Sequence, residues 1–298
     1  MSREVRVRVP ASAANLGPGF DTLGLALGLY DEIEASTADE GLVVEVSGEG
    51  RGTVPLTADH LVIRSLRAAC KAFGSELPGL RVRCRNAIPH GRGLGSSAAA
   101  AVGGAVVAAA LLGRDIEAER ETLLQVAAGM DGHADNAAAS LLGGFVVAWK
   151  YSGAGADRFG VARLEPFAGL RPVALIPQER SATAVTRRLL PAQVPLADAA
   201  FTASRTALAV CAFTAQPDLL FTATEDRLHQ PYRREAYPAS AHLMDRLRGR
   251  GIPAVVSGAG PTVLALLVDG DLPADLASDG FARLPLEVDR PGAVVETS

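Results

Sequence analysis

One short run restricts this chain more than any other: Pro89-His90-Gly91-Arg92-Gly93-Leu94-Gly95-Ser96-Ser97-Ala98-Ala99. Three glycines at alternate positions permit positive φ and let the backbone approach a ligand closely. Their N–H groups can converge on anionic oxygens, as in a nest. The run leads straight into an Ala/Gly-rich stretch, Ala98 to Leu112, that reads as a helix. Ser96 and Ser97 stand where that helix begins, able to cap it and to offer hydroxyls to a phosphate or a magnesium shell. The helix start adds unpaired N–H groups and partial positive charge. A lone Gly/Ser loop is usually a plain connection; here spacing, paired serines and helix coincide, and together they describe a polyphosphate site.

Two familiar phosphate cradles are excluded. A P-loop ends in Gly-Lys-Ser/Thr, and neither of the two lysines, Lys71 and Lys150, follows a glycine. A protein kinase needs a Val-Ala-Ile-Lys strand and an Asp-Phe-Gly, and neither occurs. The Rossmann Gly-x-Gly-x-x-Gly is absent too, since Gly91-x-Gly93 is followed by Ser96.

At 298 residues the chain exceeds the size at which one core usually stays single, so two domains are expected. The small, polar stretch Tyr151–Asp157 is the expected boundary, dividing residues 1–150 from 151–298. The alternating Val5-Arg-Val-Arg-Val9 reads as an edge-like strand and Ser12–Gly19 as a loop; strands follow at 25–35, 42–46 and 80–84. Helices are expected at 60–73, 98–112 and 118–130, then a loop at 131–136. Beyond the boundary come a strand at 172–176, helices at 196–214 and 239–250, and strands at 254–256 and 262–268. Without a regular βαβ repeat, the class is α+β.

The remaining composition narrows the partners. A formal net charge of −4 without a long basic run argues against nucleic acid. Cys70, Cys84 and Cys211 lie far apart, which suits a reducing, cytoplasmic setting. No His-Glu-x-x-His helix occurs, the alternating N-terminus is unlike a signal peptide, and the apolar run 98–112 is too short to span a membrane. Small molecules are the expected partners.

The Pro89–Ala99 segment resembles the ATP-binding motif of the GHMP kinases. Two further motifs agree in order and separation. Val9-Pro-Ala-Ser-Ala-Ala-Asn15-Leu-Gly-Pro-Gly-Phe-Asp21 resembles the family's N-terminal motif, and Ser257-Gly-Ala-Gly-Pro-Thr262 its Gly-rich C-terminal motif. With Gly132-His-Ala-Asp-Asn136 and His229-Gln-Pro-Tyr-Arg233, the set is similar to the form carried by members that act on homoserine, in an actinobacterial style. The resemblance implies an N-terminal ATP-binding domain and a C-terminal ferredoxin-like α/β sandwich domain. It implies ATP and Mg2+, transfer of phosphate to the side-chain hydroxyl of L-homoserine in threonine biosynthesis, and a homodimer. Another small-molecule kinase of the family, or a non-catalytic ATP and metabolite sensor, stays open at this point.

By the same resemblance, residues 89–99 hold ATP, while Asn15, Asp21, Asp135 and Asn136 meet the acceptor's polar groups. Arg187 and Arg233 clamp its carboxylate, with Thr183 a further candidate. An amino acid bearing a hydroxyl needs such a set independently: cations for the carboxylate, acids or amides for the ammonium, and a fixed place for the hydroxyl. Asp135 and Ser97 are the residues expected nearest the chemistry. Phosphoryl transfer asks mainly for positioning and charge stabilisation, so no covalent enzyme intermediate is expected. One departure concerns the metal. Gly129 stands where the family carries a helix glutamate, which leaves Asp131 and Ser97 as the expected Mg2+ ligands.

Overall fold

The computed structural model describes residues 4–151, 157–179, 186–276 and 280–296. The chain builds two sheets. The larger contains β1 (Glu4–Asn15), β2 (Gly19–Ala38), β3 (Leu42–Gly48), β4 (Gly79–Asn86), β5 (Phe145–Tyr151), β6 (Arg158–Leu164) and β11 (Val294–Glu296). Its order is β11-β1-β2-β4-β3, with β5 joined to β2 and β6 to β5. The long β2 pairs with β1 along one edge and divides the other between two partners: Leu23–Leu25 pair with β5 and Glu32–Ala38 with β4. The alternation of Val5, Val7 and Val9 turns the valines inward. Meanwhile Arg6 and Arg8 pair with Glu32 and Glu296 on the other face.

Four helices cover the inner face: α1 (Leu61–Ala72), α2 (Ser96–Leu111), α3 (Arg120–Asp131) and α4 (Asp135–Leu142). Helix α2 is buried from Ala98 to Leu111 apart from the half-buried Ala100. Its small residues make that possible, because α1 and the sheet both come very close. A Cβ on Gly104 would lie 2.2 Å from the Val62 carbonyl oxygen, and one on Gly103 would lie 2.3 Å from Ile33. Ser65 Oγ donates to the Ala101 carbonyl at 2.5 Å across this contact. The sequence thus forces α2 into the centre of the layer, with its N-terminus at the sheet's edge.

The smaller sheet is antiparallel, in the order β10 (Phe281–Pro285), β7 (Arg171–Pro177), β9 (Val263–Leu267), β8 (Ala254–Val256). It is apolar on both faces. Ala174, Ile176, Val255 and Leu264 join the main core, while Val173, Leu175, Val256 and Val263 form a second core. Helix α8 (Pro238–Gly249) covers that second core with Leu243 and Leu247. Between the units lie α5 (Leu196–Thr214) and two short helices, α6 (Leu220–Ala223) and α7 (Gln230–Arg233). Phe213 of α5 stacks on Phe145 at 5.0 Å. Helix α5 is long and apolar enough to cross a membrane by length and composition alone. Here its Asp198 and Arg205 pair with Arg227 and Glu225, which fasten it to the neighbouring loop.

Several local expectations change. Val5–Val9 is no edge, because β11 returns from the far end of the chain and pairs Arg6 with Glu296. Residues 12–15 continue β1 rather than forming a loop, and Ser12 is fully buried. The expected loop at 131–136 is only a short break at 132–134 before α4 begins. Most of the expected boundary at 151–157 lies outside the described residues. The strands flanking it, β5 and β6, pair with each other in the larger sheet, and the smaller sheet begins with β7.

Candidate active site

At the N-terminus of α2 a cavity of about 590 Å3 opens between the larger sheet, the α3–α4 turn and the loop after β8. Gly91, Gly93, Gly95, Ser96, Ser97, Asp131, Asp135, Asn136, Asn15, Asp21, Arg187 and Arg233 all line it. Motifs separated by more than 200 residues therefore meet in one place.

The glycine loop is shaped by close backbone approach. Gly91, Gly93 and Gly95 have φ of 66°, 77° and 73°. A Cβ on Gly93 would lie 2.2 Å from the Ser257 carbonyl oxygen, and one on Gly95 would lie 2.1 Å from Ser12 Oγ. Ser257 Oγ donates to the Gly93 carbonyl at 2.6 Å, and the Thr262 N–H donates to the Arg92 carbonyl at 3.2 Å. The C-terminal glycine loop is thus the rear wall of the cradle. Not every residue of the motif faces the cavity. Arg92 turns away and donates to the carbonyls of Pro177 and Gln178 at 2.9 and 2.8 Å, while Leu94, Ala98 and Ala99 are buried in the core. Pro89 lines neither this cavity nor the pocket beside it. His90, Ser96 and Ser97 border a second pocket of about 270 Å3, lined also by Ile33, Val54, Pro55, Leu61 and Val62.

Ser97 Oγ donates to Asp131 Oδ2 at 3.0 Å, which brings the two expected metal ligands together. Gly129 is exposed, does not line the cavity, and a Cβ there meets nothing within 4 Å. The residue that faces the site from the end of α3 is Asp131. Replacing Gly129 with Ala inside α3 should therefore raise stability by about 1 kcal/mol without changing turnover. Chemical denaturation and steady-state rates read both, and a fall in rate would show that Gly129 has a role in the site.

On the acceptor side, Asn15 Nδ2 donates to the Gly258 carbonyl at 2.8 Å, and the Asp21 N–H donates to Asn15 Oδ1 at 3.0 Å. Asn15, Leu16 and Asp21 have positive φ of 67°, 46° and 53°. Left-handed backbone at non-glycine residues is uncommon, and here it turns Asn15 and Asp21 into the cavity. Asp21 forms an ion pair with Arg187, so two expected substrate residues contact each other. Thr183 lies outside the described residues. A buried chain of hydroxyls runs from Ser140 Oγ to Ser12 Oγ at 3.1 Å, and from Ser12 Oγ to Asn136 Oδ1 at 3.0 Å. With its oxygen occupied, Asn136 presents its NH2 elsewhere.

Asp135 is buried beside the cavity, 3.7 Å from His133 Nδ1, and accepts the Asn136 N–H at 2.8 Å. Burial pushes its carboxyl up to about 6. A carboxyl with a raised folded-state pKa contributes stability below its ordinary value of 3.8, and that contribution is lost as pH rises through about 6. Asp135→Asn should therefore melt at a higher temperature than the parent at about pH 8, with the gap closing toward about pH 4. A gap that widens on acidification would contradict the direction of the shift.

Arg233 is 2% exposed and has no carboxylate within ion-pair distance among the described residues. Its Nη1 faces His229 Nδ1 at 3.2 Å and the Gly258 carbonyl at 3.4 Å. The Phe20 ring lies between the two arginines, 5.4 Å from the Arg187 and 5.5 Å from the Arg233 guanidinium carbon. Burial lowers the pKa of Arg233, the mark of a cation short of counter-charge. Sequence reasoning gave no individual role to Phe20, Ser12, Ser140 or His229. Ser12, Phe20 and His229 do lie within the quoted motifs, and His229 stands four residues before Arg233, where a helix turn sets both on one face.

Known proteins resemble this chain over most of its length. The profile of the GHMP kinases N terminal domain matches residues 60–144, and that of the GHMP kinases C terminal matches residues 213–281. The homoserine kinase of Mycolicibacterium vanbaalenii is 54% identical over 92% of this chain and 89% of its own. That of Rhodococcus erythropolis is 53% identical over 95% and 93%. The crystal structure of homoserine kinase from Cytophaga hutchinsonii superposes with a TM-score of 0.85, at 25% identity over 98% of this chain and 97% of that one. With its motifs gathered in one cavity and these relatives aligned end to end, the chain belongs to the GHMP kinase family and, within it, to the homoserine kinases.

Proposed function

We propose that this protein transfers the γ-phosphate of ATP to the side-chain hydroxyl of L-homoserine, yielding O-phospho-L-homoserine for threonine biosynthesis. The observation that carries the reading is Arg233, a buried guanidinium without a carboxylate partner, facing the cavity that also holds the glycine cradle. An uncompensated buried charge costs several kcal/mol, and a carboxylate-bearing ligand supplies what the fold withholds. A neutral sugar gives Arg233 no such partner.

In this reading the amides of 93–97 and the start of α2 hold the β- and γ-phosphates. The base occupies the pocket of Val54, Pro55, Leu61 and Val62, which is continuous with the cradle through Ser96 and Ser97. Asn15 and Asp21 receive the acceptor's ammonium, with Arg187 tethering Asp21. Arg233 binds the carboxylate, and Asp135 with Asn136 orients the hydroxyl. Ser97 and Asp131 supply the oxygen ligands that a hard cation prefers. Bound there, Mg2+ would neutralise charge on the phosphate oxygens. Asp131→Asn should raise the Mg2+ concentration for half-maximal rate about tenfold or more, and an unchanged Mg2+ titration would move the metal elsewhere. The division into 1–150 and 151–298, a homodimer, and a cytoplasmic setting without nucleic-acid or membrane partners belong to the same reading.

The test is ADP release from purified protein with ATP and Mg2+, against homoserine, serine, threonine, mevalonate, shikimate and galactose separately. Turnover with homoserine is the expected result. Turnover only with a sugar or mevalonate would keep the ATP site and overturn the acceptor. ATP binding without turnover would favour a sensor.

A further inference from the structure

His229 is fully buried, yet every polar atom of its ring is engaged. Nε2 lies 2.6 Å from the Gly17 carbonyl oxygen, which can only accept. Nδ1 lies 3.2 Å from Arg233 Nη1, which can only donate. Both contacts are satisfied by one form alone: the neutral ring with its proton on Nε2. Protonating Nδ1 would set two donors against each other. The carboxylate nearest the ring, Asp226, has Oδ2 3.4 Å from Nε2, the nitrogen that carries the proton in this form, and accepts the N–H groups of Leu228, His229 and Gln230 at 2.7, 3.2 and 2.8 Å. The Phe20 ring covers the imidazole at 5.3 Å between centroids.

We infer that His229 is a positioning residue: it fixes the rotation of the Arg233 guanidinium and ties it to the Gly17 turn that carries Asn15 and Asp21. The inference rests on Arg233 being the partner of the acceptor's carboxylate. A guanidinium on a long side chain loses rotamer freedom when it binds, and an acceptor that holds it beforehand removes that cost from the binding step. Gly17 sits between the two residues read as ammonium partners, so one imidazole sets the spacing between both ends of an α-amino acid. Homoserine affinity depends on it directly. ATP, held by the glycine cradle on the other side of the cavity, does not.

Two replacements divide the ring's functions. In H229Q the amide nitrogen can take the place of Nε2 and donate to Gly17, but no acceptor replaces Nδ1, and Arg233 Nη1 keeps only the Gly258 carbonyl at 3.4 Å. In H229N the amide oxygen stands near the Nδ1 position and can accept from Arg233, while the Gly17 contact is lost. H229Q should raise KM for homoserine about tenfold, with KM for ATP within about twofold of the parent. H229N should recover part of the homoserine KM, because Arg233 is held again while the Gly17 tie is lost, and it melts lower. In an R233A background, H229Q should add nothing further. An unchanged homoserine KM in H229Q, a rise that persists in the R233A background, or H229N performing no better than H229Q would each overturn the inference. The parent protein offers a second reading if the variants fail to fold: 15N NMR of the imidazole should show a neutral Nε2–H tautomer at pH 7, and an Nδ1–H tautomer or a charged ring would overturn the inference. If R233A itself leaves homoserine KM unchanged, the carboxylate reading fails; if R233A raises it and H229Q does not, only the role of His229 fails.

Discussion

Arg233→Ala raises KM for homoserine by about 10- to 100-fold, the 1.5–3 kcal/mol of a hydrogen bond to a charged group, while KM for ATP holds. The stability consequence runs the other way. Arg233 is buried, and among the described residues its Nε has no hydrogen-bond partner and no carboxylate lies within ion-pair distance of it. Arg233→Met keeps most of the volume and removes the unpaired charge, so it should melt at or above the parent temperature while losing homoserine affinity. Steady-state kinetics with each substrate varied, beside thermal melts of both variants, read the two effects separately. An equal loss for ATP and homoserine would contradict the clamp, and a large fall in melting temperature for Arg233→Met would show that the guanidinium is a structural strut.

Gly93→Ala is the most damaging single change expected. The residue holds φ of 77°, and a Cβ there would lie 2.2 Å from the Ser257 carbonyl oxygen and 2.9 Å from that of Gly260. Both obstacles are backbone in a loop tied back by Ser257 Oγ, so neither yields cheaply. The loop must shift, and the amides read as phosphate donors shift with it. Loss of such donors typically costs about 100-fold or more in rate, and strain of this kind costs about 3 kcal/mol or more in stability. Steady-state rates and a denaturation curve measure both, and isothermal titration reads ATP affinity directly. Gly129→Ala is the matched control, because its Cβ meets open space. A Gly93→Ala protein with ordinary ATP affinity would mean that the cradle amides do not hold the nucleotide.

The glycine cradle was legible because its requirement is local. Positive φ, alternate spacing and a following helix are all written within eleven consecutive residues, 89–99. Asp131 and Ser97 were likewise readable as a pair, and the structure joins them at 3.0 Å. The helices α1, α3 and α5 announced themselves by apolar spacing, which needs only neighbours within a few turns. By contrast, β5, β6 and α4 gave weak local patterns, and their place came from pairing with β2 and packing on β1.

The alternate glycines, the absence of a lysine-based P-loop, and the small-residue helix that must lie buried are readable from residues adjacent in the chain. Each follows from local shape or chemistry. That β1 is an interior strand emerges on folding, since its partner β11 lies far along the chain. Folding also pairs Arg187 with Asp21 and leaves Arg233 with no carboxylate within ion-pair distance among the described residues. Two arginines read alike in a sequence; which one keeps a free charge depends on which carboxylates the folded backbone brings within reach, and pairings across tens to hundreds of residues leave no periodic trace.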